Sequence, residues 1–237
     1  MSSEKEIISM INTNSIFRDR LKECLDILGF TLKEEIKAYK DNVKTDILIR
    51  IDDEIGISVK SSTGTSFHNL DRRRLEEWRS ILNMPDEIFE TIKRSILRVA
   101  RNPRDKFIME ADRAKIKEFL TMHVKTIIDE IFVKGERNLK ILMINNKQTR
   151  KIYVFNMDDV LNFLYNNARN IGFSDKGIIK LGDFITIQRK GGDGKHVTIP
   201  KTDWNHPGNQ LQFKFSPLKF AEYVVERRVI RFCVLEY

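Results

Sequence analysis

Apolar residues recur along this chain with two different periods, and the changes of period mark out its elements. From Thr45 to Ser62 the sequence TDILIRIDDEIGISVKSS sets Ile47, Ile49 and Ile51, then Ile55, Ile57 and Val59, at every second position around an acidic turn, Asp52-Asp53-Glu54. A period of two in β-branched residues predicts two strands. Elsewhere the period is three to four. Phe17, Leu21, Cys24, Leu25 and Leu28 predict a helix stopped by Gly29, and Ile88, Phe89, Ile92, Ile96 and Val99 predict one over 86–101. Ile116, Phe119, Leu120, Val124, Ile127 and Ile131 predict a third over 112–132. After Lys60, SSTGTSFHNLDRRRLEEWRSILNMP reads as a Ser/Thr/Gly loop running into a charged helix that ends before Pro85. Beyond residue 138 strands dominate: 139–144, 151–155, 178–181, 184–189, 210–215 and 229–235, with a short helix over 158–170. The order predicts an α/β (α+β) fold around a central sheet begun by the hairpin. It predicts a single domain over 1–237, with the hairpin and helices in 1–135 and a strand-rich part in 136–237.

Hairpin geometry sharpens the first stretch. Opposed residues of an antiparallel pair point to one face, so the paired numbers must sum to an even value for the isoleucines to share a side. A three-residue turn over 52–54 sets Ile51 opposite Ile55, hence Leu48 opposite Ser58 and Asp46 opposite Lys60. Asp46, Ser58 and Lys60 then share the second face, at the end far from the turn. A cross-strand ion pair on a half-buried hairpin would explain Asp46 and Lys60. So would a metal site, with a carboxylate for a hard cation and a lysine beside it for a water or a phosphate.

Charge and cysteine usage narrow the setting. Forty-two Lys and Arg against 34 Asp and Glu leave a net +8, with a sequence pI near 9.4, a balance that suits a polyanionic partner. Cys24 and Cys233 form neither a disulfide framework nor a metal-ligand spacing. His68, His123, His196 and His206 have no zinc-type spacing and read as surface or loop residues. The start MSSEKEIISM lacks the basic-then-apolar pattern of a secretory signal, and no window approaches the ~20 apolar residues of a membrane span. An intracellular protein without a membrane partner is expected.

A second informative stretch is ITIQRKGGDGKHVTIPKTDWNHPGNQLQFKFSP, residues 185–217. Gln188, Arg189 and Lys190 mass at the exit of one strand, and Gln212 and Lys214 alternate with Leu211, Phe213 and Phe215 on the next. Base edges are read by such groups: Gln pairs with adenine, Arg or Lys with guanine, and a two-stranded ribbon fits a major groove. A polar hairpin on a wet face would show the same alternation.

Taken together and in this order, the two stretches resemble the small type II restriction endonucleases of the PD-(D/E)xK superfamily, within it the four-base cutters of GCGC or CCGG. TIQRKGGD followed by LQFK is the specific part, and Thr45-Asp46-Ile47 with Ser58-Val59-Lys60 is similar to the catalytic hairpin of that subgroup. The resemblance implies a mixed central β-sheet flanked by helices, and Mg²⁺-dependent hydrolysis of double-stranded DNA in a bacterial cytoplasm, beside a cognate DNA methyltransferase. Asp46 matches the metal-binding aspartate, Lys60 the lysine that orients or deprotonates the attacking water, and the Val59 carbonyl a further metal ligand. Ser58 stands where the superfamily has Glu or Asp, which removes one negative charge from the site. Phe67, Asn69 and Arg72 match positions that approach DNA. Residues 195–207 are an insertion relative to the subgroup. A palindromic target permits a homodimer, and a monomer cutting the strands in turn is equally compatible. A structure-directed repair or junction nuclease of the same fold, and an inactive DNA-binding protein, are the other readings the residues allow.

Overall fold

A computed structural model describes residues 3–32, 36–40, 47–50, 55–64, 66–136, 138–192 and 197–237. The elements run α1 (Ser3–Thr13), α2 (Ser15–Ile27), β1 (Lys37–Tyr39), β2 (Ile47–Arg50), β3 (Ile55–Ser62), β4 (His68–Arg73), α3 (Leu75–Leu82), α4 (Asp86–Arg101) and α5 (Arg113–Phe132). They continue with β5 (Leu139–Asn146), β6 (Lys151–Asn156), α6 (Met157–Asn167), β7 (Ile171–Phe173), β8 (Ile179–Leu181), β9 (Ile185–Arg189), β10 (Leu211–Phe215), α7 (Pro217–Arg227) and β11 (Cys233–Glu236). The chain divides into two compact units, each made of separate stretches of sequence. The first holds Met1–His68, Phe132–Leu164 and Ser216–Tyr237; the second holds Asn69–Ile131 and Tyr165–Phe215.

The first unit is built on a six-stranded mixed sheet in the order β1-β2-β3-β5-β6-β11. β3 runs antiparallel to β2 and parallel to β5, so it is a central strand whose two faces both need cover. Helices α1 and α2 supply one cover. Ile7, Ile11, Phe17, Leu21 and Leu25 join Ile57, Val59, Ile141, Met143 and Val154 in one buried cluster. Helix α7 supplies the other, touching β3 and β5 and setting Phe220 edge-on to Phe155 of β6 at 5.4 Å. The fold class is thus mixed α+β with a mixed sheet flanked by helices.

The hairpin register differs from the one expected. Ile47 stands opposite Ile57, Leu48 opposite Gly56 and Ile49 opposite Ile55, a shift of two residues that takes Leu48 away from Ser58. Side chains alternate with period two, so the hydrophobic pattern specifies which face a residue occupies and not which even-numbered register is chosen. The face prediction for β3 is therefore untouched by the shift: Ile57 and Val59 enter the cluster under α1 and α2, and Ser58 and Lys60 take the other side. Asp46 and the turn residues 51–54 lie outside the described residues.

The second unit carries a five-stranded sheet in the order β4-β10-β9-β8-β7. Residues 68–73, read from sequence as part of a loop and helix, form its first strand, because the apolar spacing of a strand is hidden there by Asn69, Asp71, Arg72 and Arg73. Its apolar face is buried: Ile185 and Ile187 of β9 stand opposite Phe215 and Phe213 of β10, with Leu211 on the same face, and Trp78 of α3 lies on Phe213 with ring centroids 4.4 Å apart. α1, β1, β4, β7 and α7 were not expected from the sequence. Among the described residues, no helix is long and apolar enough to cross a membrane.

Candidate catalytic strand and nucleic-acid interface

Two groups of candidate residues occur, one in each unit. In the first unit, the resemblance points to β3. Ser58 and Val59 are each 7% exposed, and Lys60 is half-buried one position further along the strand. Along the parallel ladder their partners are Leu142, Met143 and Ile144, so the two polar side chains leave an otherwise apolar sheet. Asp46, the expected carboxylate, precedes β2 and lies outside the described residues. Among the described residues no group of three His, Cys, Asp or Glu side chains could hold a metal.

Past Lys60 the chain turns on serines. Ser62 Oγ donates to the Gly64 carbonyl at 2.5 Å, receives the Gly64 amide at 3.2 Å, and lies 3.2 Å from Ser66 Oγ. The turn leaves Phe67 46% exposed, an unusual position for a phenyl ring and the one expected to probe DNA. It also returns His68 to Lys60. Burial, and then the charge of Lys60, hold the His68 imidazole below its ordinary range, which favours a neutral ring beside a cation. His68 was not singled out from the sequence, since the seven residues between it and Lys60 hide their proximity.

A pH dependence follows. Because the folded chain binds the His68 proton less readily than the unfolded chain, this group's contribution is complete above the unfolded value of about 6.5. It is lost as pH falls through the lowered folded value. Urea melts at pH 7.5 and 5.0 should show a larger loss of stability for wild type than for His68→Gln. Equal losses would mean that the ring does not titrate against Lys60.

In the second unit the residues expected at a nucleic-acid interface converge. β9 and β10 are antiparallel, with Gln188 directly opposite Gln212 and Thr186 opposite Lys214. Lys180 of β8 pairs with Thr186 and so extends the same face. Gln212 Nε2 donates to Asn69 Oδ1 at 3.0 Å, and Arg72 Nε donates to the same oxygen at 2.9 Å. One amide oxygen thus organises a strand-end glutamine, an asparagine and an arginine from sequence positions 143 apart at the extreme. The result is a sheet with a dry aliphatic and aromatic face and a face of amides and cations.

Arg189 and Lys190 are used differently. Strand alternation turns Arg189 away from Gln188; its Nε donates to Asn209 Oδ1 at 2.8 Å, and Lys190 Nζ donates to the Pro207 carbonyl at 3.3 Å. The described part of the insertion is well held. Asn209, 1% exposed, donates through Nδ2 to the carbonyls of Lys201 and Asp203 at 2.9 and 2.7 Å. Trp204 Nε1 donates to Glu76 Oε1 at 2.5 Å, while Arg74 donates to the carbonyls of Trp204 and Asn205. Gly191 and Gly192, at φ +69° and +79°, make the left-handed turn that leads out of β9. Asn209 was not singled out from sequence, where it is one of many polar residues in a turn-rich stretch.

No protein-family model matches the sequence, and neither does any curated protein. In three dimensions the chain is similar to the restriction endonuclease MspI, solved in complex with its cognate DNA. The TM-score is 0.54 at 16% identity, covering 89% of this chain and 87% of that one. This chain has a restriction-endonuclease-like fold. Both units take part in the likeness, since it extends over nearly the whole length.

Proposed function

We propose that the protein is a type II restriction endonuclease that hydrolyses phosphodiester bonds of double-stranded DNA at a short GC-rich palindrome such as GCGC. Mg²⁺ is its cofactor. The observation that carries the reading is the polar sheet face on which Asn69, Arg72, Gln188, Gln212 and Lys214 meet, in a chain whose fold is similar to that of a DNA-bound restriction enzyme. Amide pairs on a two-stranded ribbon present the donors and acceptors that base edges match. The net charge of +8 supplies the phosphate attraction that such a partner requires.

Catalysis is assigned to the first unit and base reading to the second. The donors available for Mg²⁺ are oxygens throughout: the Asp46 carboxylate, the Val59 carbonyl and the Ser58 hydroxyl. That chemistry suits a hard cation which completes its shell with water and substrate phosphate, and with one anionic ligand it suits a single ion. When bound, Mg²⁺ supplies positive charge beside the scissile phosphate and acidifies a water. Lys60 Nζ would orient the attacking water or take its proton, and the neutral state favoured for His68 would keep a second cation from competing for the same phosphate. Phe67 probes the groove beside the cleaved step.

The test is digestion of unmethylated phage DNA by the purified chain, with Mg²⁺ or with EDTA. Discrete fragments that disappear in EDTA are expected, and their ends give the site. A smear would replace the reading with a nonspecific or structure-directed nuclease. Mg²⁺-independent binding without any cleavage would replace it with an inactive DNA-binding protein.

A further inference from the structure

Cys24 and Cys233, the two cysteines of the chain, stand 209 positions apart, with nothing in the spacing to connect them. The first unit brings them together. Cys24 is fully buried on α2, inside the cluster that covers the six-stranded sheet, and Cys233 packs against that cluster from the first position of β11. α2 and β11 touch. One open cavity is lined from α2 by Arg20, Glu23 and Cys24 and from β11 by Cys233 and Glu236, so small molecules in solvent have a route to the pair.

Both thiols line that cavity, and their surroundings differ. Interaction with the neighbouring sulfur, with burial and that sulfur's charge added, pushes the Cys24 thiol far up; the same interaction lowers Cys233, against an opposing push from burial. The proton therefore stays with the inner sulfur, and thiolate character falls on the half-exposed one.

We propose that Cys24 and Cys233 are a redox-active pair that forms a reversible disulfide between α2 and β11 on meeting a small-molecule disulfide. The Cys233 thiolate attacks one sulfur of the reagent, a mixed disulfide forms, and one small thiolate leaves. Cys24 then loses its proton to solvent and attacks Cys233 Sγ, which breaks the mixed disulfide and releases the second thiolate. Two protein thiols are oxidised to one disulfide while the reagent is reduced to two thiols. Among the described residues strand β11 is the last of its sheet, paired with β6, so the bond fastens an edge that the ladder holds from one side.

The experiment places the full chain in glutathione buffers ranging from reduced to oxidised. The samples are quenched with acid, alkylated under denaturing conditions and weighed intact. Two alkylated thiols in reduced buffer and none in oxidised buffer are expected, with the loss of two hydrogens and no glutathione retained. The oxidised chain should run as a monomer without reductant, and its Tm should rise by about 5 °C. Cys24→Ser should stop at the mixed disulfide on Cys233. Should that variant fail to fold, Cys233→Ser carries the test, with Cys24 expected to stay free of glutathione. Two alkylatable thiols in oxidised buffer would overturn the proposal, as would a lasting glutathione adduct on wild type or cross-linked chains.

Discussion

Replacing Asp46 or Lys60 with alanine is expected to slow single-turnover DNA cleavage by ~10³-fold or more, about 4 kcal/mol in the barrier, with DNA affinity held within a few-fold. Asp46 is the anionic member of the proposed ligand set, so its loss leaves that set only neutral oxygens, a poor set for Mg²⁺. Lys60 is half-buried beside Ser58 on the strand face opposite α1 and α2, where an ammonium has few roles other than to meet an anion or a water. Lys60→Arg separates those roles. Guanidinium keeps the charge and cannot give up its proton, so partial recovery would mean that charge suffices, and continued inactivity would mean that Lys60 moves a proton. Ser58→Ala should cost no more than ~10-fold, because a neutral hydroxyl is a weak ligand. A Ser58→Ala chain as inactive as Asp46→Ala would show the hydroxyl to be an essential ligand. Lys60→Ala cutting at the wild-type rate would remove β3 from the chemistry altogether.

What could be read in the sequence depended on whether a side chain's environment is local. The helices over 86–101 and 113–132 were visible because their apolar stripe is formed within one element, and their observed bounds lie within a residue of the expected ones. The pairing of β9 with β10 was visible for the same reason, since Leu211, Phe213 and Phe215 alternate cleanly with Gln212 and Lys214. β4 was not. Its buried partners come from α3, α5 and β10, and Arg73 is held there by an ion pair with Glu130, 57 positions away. Hairpin faces were legible and register was not, because a two-residue slip conserves every face. The site behaved alike. Residue types at 58–60 and 188–214 drew attention by their chemistry, while the hydrogen bond of Gln212 to Asn69, the influence of Lys60 on His68 and the shared cavity of Cys24 and Cys233 exist only after folding.

Gln212 should separate reading from gripping. It is 5% exposed and joined to Asn69, so its carboxamide is fixed before any DNA arrives, and a preorganised group loses little freedom when it meets a base edge. Gln212→Ala removes that group and leaves Asn69 Oδ1 to Arg72. Cleavage at the cognate site should fall by ~10- to 100-fold in kcat/KM, the equivalent of one lost bidentate contact of about 1–3 kcal/mol. Sites differing at one base pair should lose less, so discrimination shrinks. Lys214→Ala should act otherwise: affinity drops for every sequence alike, and the slope of log K against log salt becomes shallower by about 1. Competition binding on cognate and one-mismatch duplexes, repeated at two salt concentrations, measures both effects. If Gln212→Ala weakened all duplexes equally, the amide face would be a phosphate-gripping surface, and sequence reading would have to be sought in the exposed residues of the insertion. If Lys214→Ala altered discrimination with the salt slope unchanged, Lys214 would be the base reader and Gln212 its support. Gln212 and Lys214 are neighbours on one face of β10, and only a base-reading sheet predicts that their substitutions fail in different ways.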